Sequence, residues 1–207
     1  MSKRIRQEDI KVGKGDVVAG DKIDNSHHHY DTRRNLKITR LFEALKAESD
    51  KDDKLSDICD ELVRYLTEKD TIGLEQKLKD GGFNNSYIDN AFEQKEFFAK
   101  KLYRYQEFES AQRIYVELLA LIKTNFQDYI SPLIASNGTY EIINSEVREK
   151  VINPIIDMLN SDGANDDILN LNAEEVRGML YYLTGRCHIK WSNDSICLLY
   201  TSPSPRD

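Results

Sequence analysis

The chain has 207 residues, 40% hydrophobic and 31% charged, with 36 acidic against 29 basic side chains and a net charge of −7. This composition suits one soluble globular domain, or two small ones, and argues against a non-specific nucleic-acid binder, which normally carries a basic patch or stripe. No apolar run reaches the roughly 18 residues a membrane helix needs, no signal-peptide core opens the chain, and the isolated Cys59, Cys187 and Cys197 point to a reducing cytoplasm, not a disulfide scaffold.

The first 35 residues read as a leader. Within VGKGDVVAGDKI (Val12–Ile23) the units GDVVA and GDKID repeat at a five-residue period. Each opens on a Gly-Asp turn signal (Gly15-Asp16, then Gly20-Asp21 followed by Lys22), and Val17, Val18 and Ile23 are β-branched. A short β-hairpin or flexible leader is expected, with no stability of its own. The Gly15–Gly20 spacing imitates a phosphate loop, but Asp21 stands where the loop needs its lysine and would repel phosphate. His27, His28 and His29 sit in a polar linker, Asp24–Arg34. Three adjacent imidazoles cannot all face one ion, and no nearby Cys or carboxylate completes a metal set. Basic clusters lie at Lys3–Arg6 and Arg33–Arg40.

From Ile38 onward apolar residues recur at close to 3.6, which predicts an all-α antiparallel domain of about six helices, residues 36–196. Ile38–Ala47 offers Leu41, Phe42 and Leu45. Leu55–Glu68 offers Leu55, Ile58, Leu62, Tyr65 and Leu66 on one stripe. Thr71 is placed to N-cap a short helix carrying a Glu75–Lys79 i,i+4 pair and ending at Gly81-Gly82. Asn85 or Ser86 caps the next, with Ile88, Phe92, Phe97, Phe98, Leu102 and Tyr105. A helix from about Glu107 to Tyr129 buries Ile114, Leu118, Leu121 and Ile122, and Pro132 limits it. After the Asn137-Gly138 turn, Ile142, Ile143, Val147, Val151, Ile155 and Leu159 form a stripe, with Pro154 predicting a kink or break near Lys150. Ser161–Asn172 reads as a polar loop. Asn172 and Glu175 form a capping box for the last helix. The tyrosines of these helices (Tyr103, Tyr105, Tyr115, Tyr181, Tyr182) are expected in the core, their hydroxyls in a polar network.

The segment RGMLYYLTGRCHIKW (Arg177–Trp191) is the most specified part of the chain. Met179, Leu180, Tyr182 and Leu183 share a helical face, Gly185 suits a C-cap, and Cys187, His188 and Trp191 follow at once. The expected arrangement is a buried Cys and a hydrogen-bonded His sealing the helix end. By contrast CLLYTSPSPRD (Cys197–Asp207) resembles the in-frame translation of a sequencing-library adapter and is set apart from the fold.

RYLTEKDTIGLEQKLKDGG (Arg64–Gly82), FFAKKLYRYQEFESAQRIYVELLA (Phe97–Ala120), VINPIIDML (Val151–Leu159) and the Arg177–Trp191 segment together resemble the C-terminal domain of the ATP-binding-cassette three-component systems, prokaryotic conflict systems that pair an ABC-type ATPase with small partner proteins. The resemblance covers roughly Ile38 to Trp191. It implies an antiviral-defence subunit with an ABC-type ATPase as partner, a second small subunit beside it, and self-association or docking through the Gly15–Ile23 repeat. Relatives often carry an effector enzyme. The roughly 35 residues ahead of the helical body are too few to fold one, so the expected role is non-enzymatic coupling without cofactor or membrane. The expected contact residues are Gly15, Asp16, Gly20, Asp21, Lys22, Arg177, Arg186, His188 and Trp191, with Trp and Arg favoured as hot spots.

Two other readings stay open. Arg33, Arg34, Lys37 and Arg40 would serve a nucleic-acid-binding regulator, whose binding falls steeply with salt. Cys187 beside His188 imitates a nucleophile and its base, but neighbours in extended chain face opposite ways and no third residue orients the pair. A metal set of Cys59, Cys187 and His188 lacks a fourth ligand.

Overall fold

A computed structural model describes the backbone of residues 32–69, 72–163 and 166–192, with side chains from Lys37 onward. The Gly15–Ile23 repeat, the His27–His29 run, Thr71 and the Cys197–Asp207 tail lie outside the described residues. Those described are all helical, without strands. The elements are α1 (Thr32–Lys51), α2 (Asp60–Leu66), α3 (Leu74–Asp80), α4 (Asn85–Tyr105), α5 (Glu109–Asn125), α6 (Ser131–Ala135), α7 (Tyr140–Glu146), α8 (Asn153–Asp162) and α9 (Ala173–Gly185). Two π turns fuse α5 to α6 (Phe126–Ile130) and α7 to α8 (Val147–Ile152), leaving seven rods among the described residues.

The apolar stripes explain most of these rods. Ile38, Phe42 and Leu45 are buried along α1, and Ile114, Leu118, Leu121 and Ile122 along α5. α9 lies at the centre, with α4 along its side and α5, α3 and α8 against other faces. Gly178 lets α9 approach α4: a Cβ there would stand 2.4 Å from the Gln94 carbonyl oxygen. The α9 capping box forms, with Glu174 N–H donating to Asn172 Oδ1 at 2.7 Å and Asn172 N–H to Glu175 Oε2 at 3.1 Å. Glu175 is buried and pairs with Lys101, whose ammonium also donates to the Leu169 carbonyl at 2.7 Å.

Several expectations needed correction. Leu55–Cys59 is not helical, and Leu55 is exposed. Its backbone is tied to α5 instead: Leu55 N–H donates to Glu107 O at 2.7 Å and Cys59 N–H to Gln112 Oε1 at 2.7 Å, while the buried Gln112 returns a bond to Asp57 O at 3.0 Å. Gly73 occupies the N-cap of α3. Asn84, not Asn85 or Ser86, caps α4, accepting from Tyr87 N–H at 2.9 Å. Phe92, Phe97, Tyr103 and Ile142 are exposed.

Pro132 does not stop its helix. The π turn before it shifts the register, with Ser131 N–H bonded to Phe126 O, so α6 restarts with Pro132 in its first turn, where no amide donor is needed. Pro154 is handled in the same way. The distortion expected near Lys150 is the π turn Val147–Ile152, and the chain stays helical through it. α8 runs on to Asp162, into the segment expected as loop.

Candidate functional site

The site is the plug that ends α9. Arg186, Cys187 and His188 turn the chain back by donating their amides to Tyr182 O, Thr184 O and Leu183 O at 2.9, 3.0 and 2.9 Å. The left-handed residue of this turn is Cys187, at φ 65°, whereas Gly185 is the last residue of the helix. Gly185 was expected to fill that role. It lies against the Lys95 side chain, 3.3 Å from where its Cβ would be.

Trp191 is the wedge of the plug. It is 3% exposed, its indole N–H donates to Thr184 Oγ1 at 3.0 Å, and its ring meets Phe83 and Phe126 edge-on at 4.9 Å each. Gly81 makes room, since a Cβ there would meet Trp191 Cβ at 3.0 Å. The Thr184 hydroxyl in turn donates to Leu180 O at 2.9 Å. One buried hydroxyl therefore serves both helix and plug.

Lys77 of α3 joins the plug from the other side. It is buried, donates to Thr184 O at 3.0 Å and touches Cys187 Sγ at 2.5 Å. A cation set on the last carbonyls of a helix satisfies orphan acceptors and complements the helix dipole. Lys77 was missed in the sequence, yet a signal existed: with Leu74 and Leu78 it occupies the i, i+3, i+4 stripe that faces inward.

His188 is 7% exposed, with its ring 5.5 Å from that of Tyr65. By strict geometry neither ring nitrogen has a partner, although the backbone of Thr67 and Tyr65 lies close enough to interact with the ring. Burial, then the charges of Lys69 and Lys123, hold its pKa below the ordinary 6.5, while the nearby Thr67 and Tyr65 backbone pulls weakly the other way. It lines a cavity of about 360 Å³ with Phe126, Ser131, Ile134, Cys187 and Lys190.

The structure separates the expected contact residues. Arg177 is half-buried beside the Tyr181 and Tyr87 hydroxyls, which bond each other at 2.7 Å. Arg186 is half-exposed, 3.8 Å from Glu68 and stacked over Tyr182. His188 and Trp191 are core residues and offer almost no surface. Gly15, Asp16, Gly20, Asp21 and Lys22 lie outside the described residues. Of the basic segment, Lys37 pairs with Glu117 and Arg40 is exposed. Cys187 and Cys59 border different cavities. Among the described residues no group of three or more His, Cys, Asp or Glu is placed to hold a metal.

The described residues thus form an all-helical bundle closed by a plug that Trp191 pins. The chain belongs to C-terminal domain 9 of the ABC-three component (ABC-3C) systems, whose family model matches residues 73–191, more than half of the sequence. That match begins one residue before α3 and ends on Trp191, so it contains both sides of the plug. No curated protein and no solved structure matches the chain. Among the described residues no helix is long and apolar enough to cross a membrane.

Proposed function

We propose that this protein is a non-enzymatic coupling subunit of an ABC-three component antiviral-defence system, acting in the cytoplasm by binding the system's ABC-type ATPase and a second small subunit. Family membership supports the setting. The observation that carries the binding role is the outer side of α4. Its inner stripe is satisfied by Ile88, Ala91, Phe98 and Leu102, yet it leaves Phe92, Phe97 and Tyr103 36%, 48% and 76% exposed. Phe92 and Tyr103 lie about three turns apart along one edge of the helix, and Phe97 stands on its outer side. Aromatic groups held on a rigid helix are low-entropy anchors for a protein partner. Trp191 and His188 contribute by fixing the plug, not by direct contact.

The test is co-purification of the full chain with the products of the flanking genes. An ABC-type ATPase in fixed ratio, lost in the Phe97→Ala/Tyr103→Ala variant while that variant stays folded, is the expected result. Retention of nucleic acid that falls with salt, and no protein partner, would replace this reading with the regulator based on Arg33, Arg34, Lys37 and Arg40.

A further inference from the structure

A lysine amine and a cysteine sulfur meet inside the plug. Lys77 is 6% exposed and Cys187 7%, and Lys77 Nζ lies 2.5 Å from Cys187 Sγ. Lysine is almost never buried to this degree without a partner. The bond from Lys77 to the Thr184 carbonyl, at 3.0 Å, accounts for a cation at the end of α9. It does not account for a thiol set against the same amine.

The turn fixes the sulfur in this place. Cys187 holds φ 65°, which a residue with a Cβ rarely adopts, and its own amide and that of His188 are bonded back into α9. The thiol lies 3.6 Å from Ile72 O and 3.7 Å from Gly185 O, within reach of weak S–H donation. The sulfur is also accessible to a small oxidant. Cys187 borders the cavity of about 360 Å³, whose lining includes the exposed Gln127, Ala135 and Lys190, so that the cavity opens to solvent. Lys77 is not part of that lining, and a molecule entering the cavity meets the cysteine first.

We propose that Cys187 and Lys77 form a modification site, at which hydrogen peroxide closes a covalent sulfur–nitrogen bond between the plug and α3. The thiol first attacks the peroxide. The O–O bond breaks, an S–O bond forms, sulfur loses two electrons and water leaves, giving a sulfenic acid. Lys77, having released its ammonium proton to water, then attacks that sulfur. The S–N bond forms as the S–O bond breaks, and the departing hydroxide takes an amine proton as a second water. One thiol, one amine and one hydrogen peroxide thus give one sulfenamide and two waters. A backbone nitrogen can close on a sulfenic acid in this way, and a primary amine already in contact is the better nucleophile. Added thiol reverses the step by attacking sulfur and releasing the amine. The bond would join residues 110 apart in sequence, so that the plug is locked to α3 under peroxide and released on reduction.

The experiment treats the full chain with hydrogen peroxide and maps the products by digestion and mass spectrometry. Cys59→Ser and Cys197→Ser are included so that Cys187 is the only thiol. The expected product is a linked pair of peptides, one with Lys77 and one with Cys187, about 2 Da lighter than their reduced sum. Trypsin should not cut after Lys77 in it, and dithiothreitol should release both peptides. The linked form should also show a higher Tm than the reduced chain. In Lys77→Arg the linked fraction should fall on the order of tenfold or more, and dimedone should trap the sulfenic acid that no amine consumes. Should that variant fail to fold, the mapping in the Lys77 protein still decides, with the same chain in urea as the control that must not link. A Cys187 that peroxide leaves unmodified, that is oxidised while Lys77 stays free, or that joins another lysine instead overturns the proposal.

Discussion

Gly178 of α9 lies so close to Gln94 of α4 that a Cβ on it would come within 2.4 Å of the Gln94 carbonyl oxygen and 2.8 Å of Phe98 Cβ. The first obstacle is backbone, which cannot swing aside like a flexible side chain. Intrinsic propensity alone would favour Ala over Gly in mid-helix by about 1 kcal/mol. Sterics reverse that sign, so Gly178→Ala is expected to destabilise the domain by roughly 1–3 kcal/mol or more. Urea unfolding should show a lower midpoint with an unchanged slope. A more stable variant would mean that the two helices are not held this close.

Trp191 is the only tryptophan of the chain, so its fluorescence reports the plug directly. Thr184→Val keeps the shape but strips the acceptor from the buried indole N–H, costing about 1–3 kcal/mol. Thr184→Ser should restore most of it. Equal stability of the Val and Ser variants would show that the 3.0 Å bond is not formed in solution.

Removing one partner of the buried Lys101–Glu175 pair leaves a charge without compensation. Glu175→Ala is expected to cost about 3–5 kcal/mol, while the apolar double variant Lys101→Met/Glu175→Met recovers much of it. Additive losses in the double-mutant cycle would argue that the two residues act separately. Glu175 also closes the capping box, so part of the single-variant loss belongs to the α9 N-terminus.

His188 sets a pH dependence. Its folded pKa lies below the ordinary 6.5, so the unfolded chain takes up the proton first as pH falls. Stability is therefore complete above about pH 6.5 and declines as pH drops from there toward the folded value. Tm should fall between pH 7 and pH 5.5, and His188→Gln should flatten that slope. An unchanged slope in the variant would assign the effect to other groups.

Cys187 bears on the reading in which it serves as a nucleophile. Its sulfur rests against Lys77, and the His188 nitrogens make no bond to it. Cys187→Ala should leave partner co-purification intact. Loss of the system's function in a folded Cys187→Ala protein would revive the reading of Cys187 as a nucleophile.

Helix content was legible in the sequence wherever a stripe of apolar residues repeats at 3.6, as in α1 and α5, and where local chemistry is self-contained, as in the Asn172–Glu175 capping box and the Glu75–Lys79 pair at 2.6 Å. These features depend on residues within one or two turns of each other. Leu55 misled because its spacing fits a helix, while its amide is claimed by Glu107 from a distant part of the chain. Pro132 misled because a π turn, invisible to periodicity, removes the clash it would otherwise cause.

The sequence by itself determined the helical class, most of the core stripes and the family resemblance that residues 73–191 carry. Only the tertiary structure decided the roles within Arg177–Trp191. It buried Trp191 and His188, gave the left-handed turn to Cys187 instead of Gly185, and brought Lys77 in across more than a hundred residues to cap α9. The reason is physical. Periodicity fixes which face of a helix turns inward, but the partner that satisfies a buried hydroxyl, carbonyl or imidazole is set by which helices meet there.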